Sequence, residues 1–255
     1  MSAVPLLQVS DLALEFGGVQ AIAELSLQVH AGEVLAVIGP NGAGKTSLLN
    51  VVTRVFDATR GQVRFRGQDL LALPRHRVPG LGLARTFQNI ELFEAATVLD
   101  NLMLGRHRFG GGAWWQQLLR TPALTRAEEA ARERVERVID FLEISPWRHA
   151  AIAGLPYGVR KVVELGRALC SEPELLFLDE PASGLNPEET RDLAFWIDDI
   201  RSELGITVVM IEQDMSLVSA VADRVICMAQ GRVLAQGTAA QVQADPLVIA
   251  AYLGT

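Results

Sequence analysis

Residues Gly39-Pro40-Asn41-Gly42-Ala43-Gly44-Lys45-Thr46-Ser47 set two glycines, a lysine and a threonine at the spacing of a phosphate loop. Each residue type has a task in that chemistry. Glycines let successive backbone N–H groups curl around an anion, and a following helix adds partial positive charge at its N-terminus. Lys45 can neutralise the outer phosphates, and Thr46 can offer a hydroxyl to Mg²⁺. A second group, Asp179-Glu180, follows the apolar run Leu175-Leu176-Phe177-Leu178. Carboxylates at the carboxyl end of a buried strand stand where open α/β sheets bind ligands. Asp179 suits a Mg²⁺ ion held through water, and Glu180 suits the orientation or deprotonation of an attacking water. Together the two groups imply binding and cleavage of a triphosphate.

The elements that must position them are legible around them. Val34 to Ile38 is an apolar run of buried-strand length, and Lys45 to Arg54 has helical composition, so strand, loop and helix follow in order. Leu6 to Phe16 and Ile22 to Val29 alternate as strands about a Gly17-Gly18 turn, and Gly61 to Gly67 adds a short strand. Farther on, a helix over Val162 to Cys170, a strand at Leu175 to Leu178 and a helix over Pro187 to Glu203 are expected. A strand at Ile206 to Ile211 and a short helix over Met215 to Ala222 follow. A hairpin around Gln230-Gly231 and a last helix over Asp245 to Leu253 complete the pattern. Strand alternating with helix implies a mainly parallel sheet, flanked here by an antiparallel region.

Residues 89–161 differ in character and read as a helical insertion. Thr125 to Glu143 is amphipathic, with Val135, Val138, Ile139 and Leu142 on one face, and Thr125 with Glu128 suggests a capping box. Gly110-Gly111-Gly112 suggests a loop or hinge, and Trp114-Trp115 suggests packing inside the insertion. The fold class expected is thus α/β, a phosphate-loop NTPase core with an antiparallel β region and a helical insertion subdomain. Residues 1–255 form one domain, with the core in 1–88 and 162–255 and the helical part in 89–161.

Composition narrows the function. The net charge of −7 argues against a general nucleic-acid binder. Although 49% of the residues are hydrophobic, no stretch approaches the roughly eighteen apolar residues of a membrane span. Met1 to Phe16 carries Asp11 and Glu15 and no basic leader, so a cytosolic protein is expected. A rich core and a surface that meets a partner explain the apolar excess equally well. Cys170 and Cys227 lie in apolar surroundings and read as core thiols.

At this point the chain resembles a family, the ATP-binding subunits of ABC transporters, along nearly its whole length. Thr86-Phe87-Gln88 resembles the glutamine loop, which implies that Gln88 touches Mg²⁺ beside Thr46 and Asp179 and takes part in catalysis with Glu180. Leu155-Pro156-Tyr157-Gly158-Val159 stands where the signature, usually Leu-Ser-Gly-Gly-Gln, belongs. Ser183-Gly184-Leu185-Asn186 resembles the D-loop, and Phe16 occupies the place of the aromatic that stacks on adenine. Finer details are similar to the larger ATPase type of branched-chain amino-acid importers: Arg85-Thr86-Phe87-Gln88, Gly184-Leu185-Asn186-Pro187, Glu212-x-Asp214-Met215 and Ala251-Tyr252-Leu253-Gly254.

The resemblance implies ATP and Mg²⁺ as ligands, and head-to-tail pairing with a second ATPase subunit. A heterodimer is favoured, with a homodimer possible. Each nucleotide would lie between one subunit's phosphate loop and the signature of the other. It further implies separate membrane permease subunits, an indirect link to an extracytoplasmic solute-binding protein, and a peripheral place on the cytoplasmic side of the inner membrane. Three positions depart from the family pattern. Pro156 replaces the signature serine and has no N–H, Val159 replaces a polar residue, and Gln213 stands in place of the switch histidine. Glutamine can donate to a γ-phosphate but cannot become cationic, so hydrolysis about tenfold slower is expected. The competing expectation is a subfamily variant without kinetic effect. Two other functions remain open on the sequence: a regulatory or repair ATPase acting on nucleic acid or ribosomes, and a small-molecule kinase.

Overall fold

The structure, a computed structural model, describes residues 4–86, 90–106 and 122–253. The strands among the described residues are β1 Leu7–Phe16, β2 Val19–Val29, β3 Val34–Ile38, β4 Arg60–Phe65, β5 Gln68–Asp69, β6 Leu83–Arg85, β7 Leu175–Asp179, β8 Thr207–Ile211, β9 Arg224–Ala229 and β10 Arg232–Gly237. The α-helices among the described residues are α1 Lys45–Val52, α2 Val98–Gly105, α3 Pro122–Phe141, α4 Tyr157–Leu169, α5 Pro187–Ser202, α6 Met215–Val221, α7 Ala239–Gln243 and α8 Pro246–Leu253. The chain divides into two compact units, Met1–Arg85 with Glu174–Thr255, and Thr86–Pro173.

The first unit holds these strands. A six-stranded sheet runs β10-β9-β3-β8-β7-β6, and β3 pairs in parallel with both β8 and β9. All five residues of β3, β7 and β8 are buried. That is why these strands read as continuous apolar runs rather than alternating ones, since parallel strands are covered on both faces. The antiparallel sheet, β2-β1-β4-β5, shows the looser alternation of strands with one face toward solvent. Gly17 and Gly18 join β1 to β2 with φ of 51° and 88°, the doubly left-handed hairpin turn whose twist matches the strands. Leu35, Val37, Leu49, Phe65, Phe177 and Val209 belong to one apolar cluster at the centre of this unit.

Register places the functional ends level with one another. Val37 of β3 is opposite Ile211 of β8, and Ile211 is opposite Asp179 of β7. With strands about 4.8 Å apart, the chain leaves the sheet at three adjacent points within about 10 Å.

The second unit packs α2, α3 and α4 through Val98, Leu102, Val135, Ile139, Leu142 and Val163, all buried. Gly166 lets α4 approach closely, because a Cβ there would stand 2.9 Å from Leu102 and 3.0 Å from Leu142. The long helix begins at Pro122, so Thr125 is inside it rather than at its cap, and the capping box expected from Thr125 and Glu128 does not start the helix. The expected apolar face is nevertheless the one turned inward. Helix α4 starts at Tyr157, five residues earlier than the apolar spacing alone indicated. Gly110 to Gly112, Trp114 and Trp115 lie outside the described residues. Both cysteines are buried and free, as expected of core thiols. Among the described residues no helix is long and apolar enough to cross a membrane.

Candidate nucleotide site

The loop between β3 and α1 can be built only with glycine at its two fixed positions. Gly39 has φ 146°, and a Cβ on it would lie 2.1 Å from the Met228 carbonyl oxygen. Gly44 has φ 97°, and a Cβ would lie 2.4 Å from the Ala21 carbonyl oxygen. The loop is pinned from the β9–β10 turn: the Gly231 N–H donates to the Ala43 oxygen at 3.0 Å, while the Ala23 N–H donates to the Gly231 oxygen at 2.8 Å. Lys45, 6% exposed, folds back so that its Nζ donates to the carbonyls of Gly39 at 2.6 Å and Pro40 at 3.1 Å. Burial pushes the Lys45 ammonium below its usual range, and Glu180, Cys227 and Asp179 act against that shift. A desolvated cation so placed gains most from an anion arriving in the loop. Thr46 is exposed in the first turn of α1, and Gly44 at the N-cap makes no side-chain cap bond, which suits a helix end that receives phosphate.

Asp179 ends β7 and is 2% exposed. Its Oδ2 accepts from the Arg85 guanidinium at 2.7 Å, and that guanidinium also donates to Asn50 Oδ1 on α1 at 2.6 Å. Oδ1 of Asp179 is buried without a hydrogen-bond partner. An orphaned carboxylate oxygen in a buried site fits a group that the protein does not itself supply, such as a hydrated Mg²⁺ ion. Glu180 adopts φ 48°, a left-handed conformation that is strained for a residue with a Cβ. Its N–H still donates to the Ile211 oxygen at 2.9 Å, so the main chain is held to β8 while the side chain is turned out of the strand pattern. Gln213, just past β8, donates from Nε2 to Glu180 Oε1 at 2.7 Å and reaches Asn41 Oδ1 of the phosphate loop at 3.5 Å. Asn41, Glu180 and Gln213 therefore converge, a contact between Gln213 and Glu180 that the sequence reading did not foresee.

The remaining site residues fall elsewhere. Phe16, 45% exposed at the end of β1, stands edge-on to Phe56 with ring centroids 5.1 Å apart. Gln88 lies outside the described residues. In the second unit, Leu155 is buried, Pro156 forms the N-cap of α4 without a side-chain cap bond, and its carbonyl accepts the Arg160 N–H at 3.1 Å. Pro156 has φ −54°, a value that the pyrrolidine ring adopts without strain. Tyr157 is 42% exposed, with the Lys161 ammonium 5.9 Å from its ring centroid. Sequence reasoning gave no role to Arg85 or to Glu212. The available signal for Glu212 was its position after a buried apolar strand, the same signal that singled out Asp179.

Comparison with known proteins agrees with this geometry. Residues 22–183 match the model of the ABC transporter family, and residues 232–255 match that of the branched-chain amino acid ATP-binding cassette transporter. The chain is 39% identical to the high-affinity branched-chain amino acid transport ATP-binding protein BraF of Pseudomonas aeruginosa, across 98% of each chain. It is 38% identical, with the same coverage, to the corresponding protein LivG of Escherichia coli strain K12. Among solved structures, a nucleotide-free ATP-binding cassette from an ABC transporter superposes with a TM-score of 0.86 at 29% identity, covering 99% of this chain and 100% of the other. A second structure, the ADP conformation of the cassette MJ1267, matches equally well, with a TM-score of 0.86 at 29% identity over 99% and 100% of the two chains. The chain belongs to the ABC transporter family, as a transport ATPase of the branch of ATP-binding subunits that includes BraF and LivG.

Proposed function

We propose that this chain binds and hydrolyses ATP to drive an importer for branched-chain or other hydrophobic amino acids. The observation that carries the hydrolytic part is the 2.7 Å contact between Gln213 and Glu180, made beside the phosphate loop at the level ends of β3, β8 and β7. The substrate class is supported by the names of relatives that match nearly the whole chain.

In this reading Gly39, Pro40, Asn41, Gly42, Ala43, Gly44 and Ser47 wrap the phosphates with main-chain donors. Lys45 leaves its two carbonyl partners for the phosphate oxygens. Phe16 stacks on the base. Thr46 and Asp179, with Gln88, would hold Mg²⁺, which when bound neutralises charge on the β- and γ-phosphate oxygens. Glu180 orients and deprotonates the attacking water, and Gln213 steers Glu180 and donates toward the γ-phosphate. Leu155, Pro156, Tyr157 and Gly158 serve the nucleotide of a neighbouring ATPase subunit. Closure of the pair on ATP and its opening after hydrolysis move the permease subunits, a rigid-body switch biased by the γ-phosphate. The chain then sits on the cytoplasmic face of the membrane, held there by those partners.

Affinity purification from native membranes, followed by uptake of labelled leucine, isoleucine or valine into proteoliposomes, tests the substrate. Uptake that needs ATP inside the vesicle and the solute-binding protein outside is the expected result. Glu180→Gln tests the base. It should lower turnover by about 10²–10³-fold and trap an ATP-bound dimer visible by gel filtration. Wild-type turnover by this variant would remove Glu180 from the role.

A further inference from the structure

Glu212 follows β8 directly and is 3% exposed. Among the described residues it takes part in no ion pair. A carboxylate withdrawn from water costs several kcal/mol unless hydrogen bonds replace its hydration. Here three main-chain donors do so. Oε1 accepts from the Ala182 N–H at 2.8 Å, and Oε2 accepts from the N–H groups of Gln213 at 2.6 Å and Asp214 at 3.1 Å.

These donors belong to two different loops. Ala182 lies in the turn after Glu180, where the Ser183 N–H donates to the Glu180 oxygen at 3.1 Å and the Leu185 N–H to the Ala182 oxygen at 3.1 Å. Gln213 and Asp214 lead into α6, which Asp214 caps through the N–H groups of Ser216 and Leu217. The path therefore closes on itself. It runs from Glu180 through Pro181 to Ala182, across the Glu212 carboxylate to Gln213, and back through the Gln213 amide to Glu180. A hydroxyl or amide at position 212 could satisfy one loop or the other. A carboxylate has two acceptor oxygens and donates nothing when ionised, so it can clasp both.

We propose that Glu212 is a positioning residue for ATP hydrolysis. It ties the turn at residues 181–186 to the segment carrying Gln213, so that the two move as one body and Gln213 stays in register with Glu180. This rests on the nucleotide-site reading above. It goes beyond that reading by assigning the alignment of the base to a buried side chain held by main-chain donors of two loops.

The test compares Glu212→Gln with wild type in the full chain, alone and in the Gln213→Ala background, with Glu180→Gln alongside. Glutamine keeps the shape but points an NH₂ group at N–H donors, so one loop is released. MgATP affinity measured by calorimetry should stay within about twofold, while kcat falls by about 10–100-fold, the scale of a misplacement near 1 Å. In the Gln213→Ala background the same change should lower kcat by less than about twofold, since the contact it protects is already gone. Glu212→Asp, a milder change that keeps the charge but shortens the reach, should give an intermediate kcat and supplies the comparison if Glu212→Gln does not fold. Equal losses in both backgrounds, or an unchanged kcat in the folded single variants, would overturn the proposal. A dead Glu180→Gln with either of those outcomes removes only the role of Glu212, whereas an active Glu180→Gln removes the site reading itself.

Discussion

Gln213, which the resemblance sets in place of the switch histidine, donates through its neutral amide to Glu180. A neutral donor is about half as strong as a charge-assisted one. Gln213→His should therefore raise steady-state ATPase activity of the assembled transporter by about tenfold, roughly 1.4 kcal/mol of barrier. An unchanged rate in a folded, assembled variant would show that the amide already suffices. Arg85 belongs to the same scale. It supplies the counter-charge that lets Asp179 remain buried with one oxygen left over. Removing one member of a buried pair leaves the other uncompensated, which costs about 3–5 kcal/mol. Arg85→Met should accordingly lower the unfolding free energy read from urea titration by that amount.

At the scale of elements, the site depends on where strands stop and helices begin. Helix α5 starts directly after the turn that Glu212 holds. Asn186 caps it by accepting from the N–H groups of Glu188 and Glu189, while the Asn186 N–H donates to Glu189. Pro187 at the first helical position needs no N–H partner there. Asn186→Ala should lower stability by about 1 kcal/mol, read from equilibrium unfolding in urea. Much of this level was legible. Pro187 at the head of a helical stretch announces a helix start, and short apolar runs announce covered strands. The start of α3 was not, because Thr125 and Glu128 mimic a capping box inside a helix that begins three residues earlier.

For the molecule as a whole, stability and pairing come into view. Burial pushes the Cys170 thiol up from 9.0 to about 12. The folded chain thus keeps a proton that the unfolded thiol has lost at intermediate pH. That contribution is full below about pH 9 and is lost as pH rises through about 12. Urea unfolding should show stability falling across this window, and Cys170→Ala should flatten the fall. Pairing is the other property of this scale. Lys45 and Glu180 lie in one compact unit and Pro156 and Tyr157 in the other, so each chain carries two distinct sets of nucleotide-facing candidates. In the proposed assembly these complete two composite sites.

The sequence by itself determined the chemistry on offer. Glycines at 39 and 44, Lys45, and carboxylates after an apolar run are local patterns, and local patterns survive without a fold. Buried strands were legible for the same reason, since a segment covered on both faces must be apolar throughout. Only the tertiary structure decided which side chains meet. Arg85 and Asp179 are joined because β6 lies beside β7, and Glu212 holds Ala182 because β8 lies beside β7. Strand order is set by how distant segments pack, and no spacing along the chain encodes it.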